Sequence, residues 1–154
     1  MSEGLVTVLG PSPSAFDPER PSYEALKRLY CRNGGQFLRV LPGGGVEGTR
    51  QEGDPYTVLK VKAVSAGVVI IRGHEAGRYL AMDRSGKIYG TSTLNDECYF
   101  TEKMEENHYN TYSSHKHREH GVWYVGIKKN GQMKTGPKTH RGQNAVFFLP
   151  LPAR

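Results

Sequence analysis

The chain has 154 residues, about the size of one domain, and a formal net charge of +6 at pH 7. Its 19 glycines and 9 prolines separate short apolar runs, which indicates many turns and an all-β fold rather than disorder. Two cysteines, Cys31 and Cys98, exclude a disulfide framework, and no run approaches the roughly 20 apolar residues that a membrane span requires.

The N-terminal stretch begins MSEGLVTVLGPSPS and lacks the positive and apolar regions of a secretory signal peptide. We predict a flexible segment over residues 1–28 and a single domain over residues 29–154. Because the two cysteines lie in different repeats of that domain, we expect two reduced thiols, at least one of them in the core.

Three segments of the domain repeat one pattern, and they are GQFLRVLPGGGVEGT (35–49), GRYLAMDRSGKIYGT (77–91) and VWYVGIKKNGQMKT (122–135). The matching positions are Phe37, Tyr79 and Tyr124; Val40, Met82 and Ile127; Gly44, Gly86 and Gly131; and Val46, Ile88 and Met133. Each segment predicts a hairpin, because alternating apolar residues flank a turn whose glycine accepts a positive φ. The period is about 42 and then about 45 residues.

Further strand candidates lie between the hairpins, namely VLKVKAV, GVVIIRG, ECYFTEK and NAVFFLPLP. Each repeat then holds about four strands, and the chain about twelve. One such unit cannot bury its own apolar face, so we expect three pseudo-repeats that share a core and close against one another.

Charge is distributed unevenly along the chain. The stretch LNDECYFTEKMEE (94–106) is acidic, whereas no Asp or Glu follows Glu119. The segment KKNGQMKTGPKTHRGQNA (128–145) holds five Lys or Arg residues and three glycines. Such a basic region attracts sulfate or phosphate polymers or an anionic membrane surface; the alternative is an ordinary solvated face.

Within this segment the side chains suit a sulfated polymer. Four lysines supply point charges, Arg141 can offer a bidentate fork, and the glycines let the backbone approach an anion. The cations are Lys128, Lys129, Lys134, Lys138 and Arg141.

Other functions fit the same residues less well. Pro137 occupies the lysine position of a phosphate-binding loop, and no interleaved aromatic residues support specific nucleic-acid binding. His115, His117 and His120 lie among charged residues and favour a solvated loop over a metal site. No catalytic motif is present, so we predict neither an enzyme nor a metal centre.

Several motifs together resemble the fibroblast growth factors, and they are NGGQFLRVLP, GRYLAMD, EENHYNTY (105–112), KKNGQMKTGPKTH and FFLPLP. The resemblance covers nearly everything from Leu29 to Pro152. It implies a β-trefoil and a secreted, mitogenic and angiogenic growth factor that activates a receptor tyrosine kinase. It also implies heparan sulfate or heparin as co-ligand with no other cofactor, dimerisation of a monomer on heparin, and export without a signal peptide alongside a cytoplasmic pool.

The resemblance also implies two sets of site residues. For heparin they are Asn33, Lys128, Lys129, Asn130, Lys134, Lys138, Gln143, Asn144 and Ala145, to which its charge adds Arg141. For the receptor they are Tyr30, Arg50, Glu102, Asn107, Tyr109, Leu149 and Leu151. Tyr and Arg dominate interface energetics, although Tyr109 and Leu149 also suit core packing.

The sequence departs from the family at several of these positions. Thr135 and Asn144 stand where the family usually has a base, and Arg141 stands where a neutral aromatic is found, so we expect a shifted heparin affinity. Lys27 and Arg28 are retained without the denser lysine cluster that directs nuclear import. Nuclear entry by that route is therefore not supported.

A second function is compatible with a β-trefoil, namely a non-signalling carbohydrate-binding or inhibitor module. A lectin of this fold requires sugar pockets repeated in each lobe. The basic segment occurs only in the third repeat, which favours a single polyanion site.

Overall fold

A computed structural model describes residues 26–153, and this part of the chain is all-β. Its strands are β1 (Leu26–Cys31), β2 (Gln36–Val40), β3 (Val46–Thr49), β4 (Leu59–Ser65), β5 (Val68–Gly73), β6 (Tyr79–Met82), β7 (Ile88–Thr91), β8 (Phe100–Met104), β9 (Asn110–Ser114) and β10 (Phe148–Pro152). Short 3₁₀ turns comprise Pro55–Thr57, Asp96–Cys98, Arg118–His120, Gly136–Lys138 and Asn144–Val146. Across residues 26–153 no helix has the length and apolar character needed to cross a membrane.

The predicted flexible segment, residues 1–28, lies outside the described residues as far as residue 25. Residues 26–28 belong to β1, where Lys27 pairs with Leu59 of β4 and with Pro152 of β10. Strand structure is therefore present three residues before the predicted domain boundary.

Six antiparallel strands close into a barrel. The order is cyclic, because β1 pairs with β10, β10 with β9, β9 with β8, β8 with β5, β5 with β4, and β4 again with β1. Closure removes the unpaired edges that an open sheet of this size exposes. The buried side chains that these strands contribute to the main core are Leu29, Cys31, Leu59, Val69, Ile71, Phe100, Tyr112 and Phe148.

Three hairpins attach to the barrel, one in each repeat. The first is β2–β3, the second is β6–β7, and the third spans residues 124–133. Equivalent residues pair across them, and the pairs are Val40 with Val46, Met82 with Ile88, and Ile127 with Met133. The turn glycines have φ values of 99° at Gly44, 88° at Gly86 and 91° at Gly131. The predicted repeats and the β-trefoil fold are confirmed.

Main-chain hydrogen bonds tie the hairpins into a ring. In each bond a glycine N–H of one repeat donates to the turn-glycine carbonyl of another. The three bonds are Gly90 N to Gly44 O at 2.8 Å, Gly136 N to Gly86 O at 2.8 Å, and Gly48 N to Gly131 O at 2.7 Å. The third repeat thus completes a cycle with the first.

The third hairpin is less regular than predicted. Instead of two strands it forms isolated bridges, Ser113 with Tyr124 and Ile127 with Met133. The chain enters the 3₁₀ turn Gly136–Lys138 three residues after Met133, and Pro137 in that turn has no N–H with which to continue a ladder. About twelve strands were expected, and residues 26–153 contain ten regular strands with these bridges in place of the remaining pair.

Two barrel strands, β1 and β9, were not predicted, because neither sequence shows regular alternation of apolar and polar residues. β9 reads NTYSS, yet Thr111 and Ser114 are buried, at 2% and 3% exposure. The Thr111 hydroxyl donates to Glu105 Oε2 at 2.7 Å, so the burial of this polar group is compensated.

The histidine-rich segment is not a wholly solvated loop, and that prediction is wrong for His117. Its side chain is buried, and its Nε2 lies 3.2 Å from Glu97 Oε2. The ring also lies beside those of His120 and Trp123, with centroids 6.1 and 6.0 Å away. No cluster of three or more His, Cys, Asp or Glu side chains suited to a metal ion occurs among the described residues.

Candidate functional site

Residues 128–145 form an irregular segment that we call the basic loop, and its first turn is the tip of the third hairpin. Lys128 N donates to Gln132 O at 2.8 Å, and Gly131 N donates to Lys128 O at 2.9 Å. Asn130 Oδ1 accepts from Gln132 N at 3.0 Å. The short polar side chain of Asn130 therefore stabilises the turn that presents the adjacent lysines.

Three side chains from the first repeat hold this turn in place. Asn33 Nδ2, Gln36 Nε2 and Arg50 Nη2 donate to the consecutive carbonyls of residues 127–129 at 2.9, 2.8 and 3.1 Å, respectively. Gln36 is only 1% exposed, so its hydrogen bond is made in a desolvated environment. With the carbonyl oxygens occupied by protein donors, the turn offers cations rather than acceptors to solvent.

The lysines of the basic loop have no counterion in the part of the chain that the structure describes. Lys128, Lys129 and Lys138 are exposed and Lys134 is half-buried. Within residues 26–153, no carboxylate forms an ion pair with any of these four ammonium groups. Arg141 differs, because its Nε lies 3.1 Å from Glu105 Oε1.

The strand segment at Gly126 and Ile127 brings separate parts of the predicted heparin site together. Lys134 N donates to Gly126 O at 2.8 Å, and Ile127 N donates to Ala145 O at 3.0 Å. The backbone N–H groups of Asn144 and Ala145 have no hydrogen-bond partner within residues 26–153. The backbone of Lys134 and that of Ala145 thus both bond to the segment Gly126–Ile127, which brings the two halves of the basic loop together.

Gln143 closes the second half of the basic loop. Its Nε2 donates to Lys138 O at 3.2 Å, and its Oε1 accepts from His140 N at 3.1 Å. The Thr139 hydroxyl donates to Gly136 O at 2.7 Å and accepts from Tyr124 N at 2.9 Å. These bonds fix the backbone on which Lys138 and Arg141 are carried.

A second surface lies on the outer face of β1 and β10. Tyr30 is directly opposite Leu149, and Arg28 is opposite Leu151, so all four side chains share one face. Leu151 is 39% exposed, whereas Tyr30 and Leu149 are half-buried. The Tyr30 ring packs edge-on against Phe37 with centroids 5.6 Å apart.

Tyr109 lies next to this face, directly before the first residue of β9. Its ring packs against Phe147, with centroids 6.2 Å apart, and the Arg32 guanidinium carbon is 5.4 Å from the ring centroid. Tyr109 N donates to Asn107 Oδ1 at 3.0 Å, and His108 between them has a φ of 68°. Tyr109 is half-buried, so it contributes to packing and also keeps exposed area.

Glu102 of β8 is held by hydrogen bonds from β9. Its Oε2 accepts from the Tyr112 hydroxyl at 2.7 Å and from Asn110 Nδ2 at 3.5 Å. Burial, and then the charge of Glu102, raises the pKa of Tyr112 well above its usual range, so the hydroxyl remains a donor. Asn110 pairs with Phe148 of β10, which connects Glu102 to the strand that carries Leu149 and Leu151.

Arg50, one of the predicted receptor residues, contacts the basic loop. Its guanidinium bonds to Gly34 O at 2.9 Å and to Lys129 O at 3.1 Å, so it lies against the basic loop. Sequence patterns did not indicate Gln36, Arg32 or Glu105 as part of either surface. The sequence feature that could have indicated Gln36 is an amide at the first position of the apolar strand QFLRV.

Comparison with known proteins gives a consistent result. A sequence model of the family described as "Fibroblast growth factor" matches residues 25–149. Fibroblast growth factor 1 of Xenopus laevis is 53% identical over 153 residues, covering 99% of this chain and 98% of that protein. Putative fibroblast growth factor 1 of Danio rerio is 58% identical over 83% of this chain and 85% of its own length, and fibroblast growth factor 1 of Cynops pyrrhogaster is 49% identical over 96% and 99%.

Proposed function

The chain belongs to the fibroblast growth factor family, and on this premise we propose that it is a heparan-sulfate-binding growth factor that activates fibroblast growth factor receptor tyrosine kinases and stimulates cell proliferation. Growth factors of this family are signalling ligands and not enzymes. One observation supports the polyanion part of the proposal: four lysines that have no ion-pair partner among residues 26–153 belong to a loop whose carbonyls are held by the first repeat.

A sulfated polysaccharide is the ligand class that this loop fits best. It presents fixed anionic oxygens along a chain, and clustered cations bind such a polymer through release of its counterions. Lys128, Lys129, Lys134 and Lys138 supply the charge, and Asn144 and Ala145 supply backbone donors. Asn33, Asn130 and Gln143 act mainly by shaping the loop, because their amides are engaged within the protein.

The receptor surface is proposed on the face that joins β1, β10, β9 and β8. Tyr30, Leu149 and Leu151 form its first part, and Tyr109 with Asn107 extends it. Half-buried tyrosines and leucines give large contact area with little side-chain entropy to lose, as interface anchors require. Glu102 adds a carboxylate at the margin, and Arg50 acts by supporting the basic loop rather than by standing in this face.

We further propose that the protein acts outside cells after export that uses no signal peptide, and that heparan sulfate assembles two copies with two receptors. The two surfaces are adjacent in the chain at one point. Arg32 faces the Tyr109 ring, and the next residue, Asn33, holds the basic loop. A polysaccharide and a receptor can therefore be bound by one rigid barrel at the same time.

The test separates the two surfaces. Replacing Lys128, Lys129 and Lys138 with Gln removes exposed charges, so heparin elution should move to lower salt and the salt dependence should weaken by roughly one counterion per lysine. Replacing Leu149 and Tyr109 with Ala should leave heparin elution unchanged and weaken receptor binding by about 2 kcal/mol or more for each anchor.

Circular dichroism of each variant controls for folding, and Leu149→Ala alone serves if the Tyr109 change disturbs packing. Normal receptor binding by a folded Leu149→Ala, Tyr109→Ala variant is incompatible with the proposed receptor face. The non-signalling carbohydrate-binding module then becomes the better interpretation.

A further inference from the structure

Glu105 is a buried carboxylate beside the basic loop, and only one of its two oxygens accepts a hydrogen bond. The side chain is 3% exposed. Oε2 accepts from the Thr111 hydroxyl at 2.7 Å, whereas Oε1 has no hydrogen-bond partner among the described residues. The nearest compensation for Oε1 is the charge of Arg141, whose Nε lies 3.1 Å away.

The ion pair joins the two proposed surfaces. Glu105 begins the turn that carries Asn107 and Tyr109, since Glu105 N donates to Tyr109 O at 2.8 Å and His108 N donates to Glu105 O at 2.9 Å. Arg141 belongs to the basic loop, between Lys138 and Gln143. The Arg141 side chain is 59% exposed, so its guanidinium can also be reached by a ligand from solvent.

A ligand sulfate that binds Arg141 must therefore compete with Glu105, whereas no described carboxylate competes for the four lysines. A sulfate oxygen that takes its guanidinium leaves the Glu105 carboxylate desolvated and without a cation, which is costly for a buried charge. The contact between Nε and Oε1 is an ion pair without a well-aligned hydrogen bond, so it is held by charge and can be exchanged. The net gain from a sulfate at Arg141 is thus smaller than at an unpaired lysine.

We propose that Glu105 competes with sulfate for Arg141, so that Glu105 lowers the heparin affinity of this protein and Arg141 serves as a sulfate ligand only when it leaves that carboxylate. The inference rests on the proposed heparin site and names a specificity-determining residue outside it. Glu105 touches no sulfate itself and acts through Arg141, as a positioning residue.

The first test compares Glu105→Gln with Glu106→Gln. Both changes remove one negative charge, but Glu106 is an exposed neighbour that forms no ion pair within residues 26–153. Glutamine at position 105 can still accept the Thr111 hydroxyl. Glu105→Gln should bind heparin about two- to fivefold more tightly than Glu106→Gln, which is the range expected for a partly exposed charge pair.

The second test places Arg141→Gln in both backgrounds. With Glu105 present, the loss of heparin affinity should be smaller than for Lys129→Gln. In the Glu105→Gln background it should be larger, because Arg141 is then free, and the salt dependence should also fall by about one counterion. This non-additivity is what a merely structural role of Glu105 does not produce.

Two results would overturn the inference. One is equal heparin affinity for Glu105→Gln and Glu106→Gln. The other is that, with Glu105 present, Arg141→Gln loses as much heparin affinity as Lys129→Gln. The second comparison remains decisive if Glu105→Gln fails to fold. Failure of the proposed heparin function is a different result, in which the wild-type protein is not retained by heparin or Lys129→Gln has no effect.

Discussion

Burial controls the chemistry of the two thiols. Cys31 and Cys98 are free, and both are fully buried. The Cys31 Sγ donates to Ala145 O at 3.4 Å, and burial raises the pKa of this thiol to about 11. Burial also raises the pKa of Cys98. Both side chains therefore behave as small core residues rather than as nucleophiles, as the sequence led us to expect for at least one of them.

Thiol titration tests this interpretation. In denaturant without reductant the protein should show two thiols, whereas the native protein at about pH 8 should react slowly, because both thiols are protonated and inaccessible. A thiol pKa that is higher in the folded state favours folding below the unfolded value. The stability due to Cys31 should be fully present below pH 9.0 and be lost as pH rises towards about 11. A monomer with no titratable thiol, or fast native labelling, is the contrary result.

The partners of two arginine side chains could not be predicted from the sequence. Motif matching assigned Arg50 to the receptor surface and did not indicate that its guanidinium bonds to the carbonyl of Lys129, 79 positions away in the chain. Charge counting assigned Arg141 to heparin without its partner Glu105. A motif indicates the strand or loop in which a residue lies. The partner of a long side chain depends instead on tertiary packing between distant segments.

At the scale of elements, the hairpins and their turns were predictable because a local requirement specifies them. Gly44, Gly86 and Gly131 all adopt a positive φ, and positions predicted to correspond between repeats form equivalent cross-strand pairs in all three hairpins. β9 was missed because its buried positions include the polar residues Thr111 and Ser114. β1 was missed because its two buried residues, Leu29 and Cys31, follow the charged pair Lys27 and Arg28. The loss of regular pairing in the third hairpin was not apparent from the sequence, because all three segments share the same apolar and glycine pattern.

The turn glycine of the third hairpin gives an element-scale prediction. Gly131→Ala should destabilise the fold by about 1 to 3 kcal/mol, because a Cβ there adds strain at positive φ. The added Cβ also stands 3.0 Å from Gly48 O, in the hydrogen-bond ring between repeats. Denaturant unfolding measures the loss.

Gly53→Ala is the matched control, because an added Cβ meets no atom within 4 Å and no positive φ is required there. Its stability should match that of the wild type or exceed it slightly. Equal stability for the Gly131→Ala and wild-type proteins would contradict a stabilising role for the ring of main-chain hydrogen bonds between the hairpins.

On the scale of the whole molecule, the acidic stretch and the basic loop neutralise each other at one ion pair among residues 26–153, that of Glu105 with Arg141. Carboxylates of the acidic stretch have their own partners, because Asp96 pairs with Lys116 and Glu97 contacts His117. The four lysines of the basic loop have no ion-pair partner among the residues that the structure describes. Their mutual repulsion lowers the stability of the free protein and is relieved when a polyanion binds.

Heparin should consequently raise the melting temperature by several degrees. A ligand that binds only the folded state adds about 2.7 kcal/mol when its free concentration is 100-fold above Kd. Differential scanning fluorimetry with heparin, and with a neutral polysaccharide at equal mass, measures the effect. Equal stabilisation by the two polymers rules out an electrostatic origin.

Receptor phosphorylation in cells that display fibroblast growth factor receptors but lack heparan sulfate tests the central claim most directly. The protein is added alone and together with heparin. If it is a heparin-dependent receptor ligand, phosphorylation should be weak without heparin and rise strongly with it. A folded protein that is retained by heparin yet causes no phosphorylation under either condition contradicts the claim.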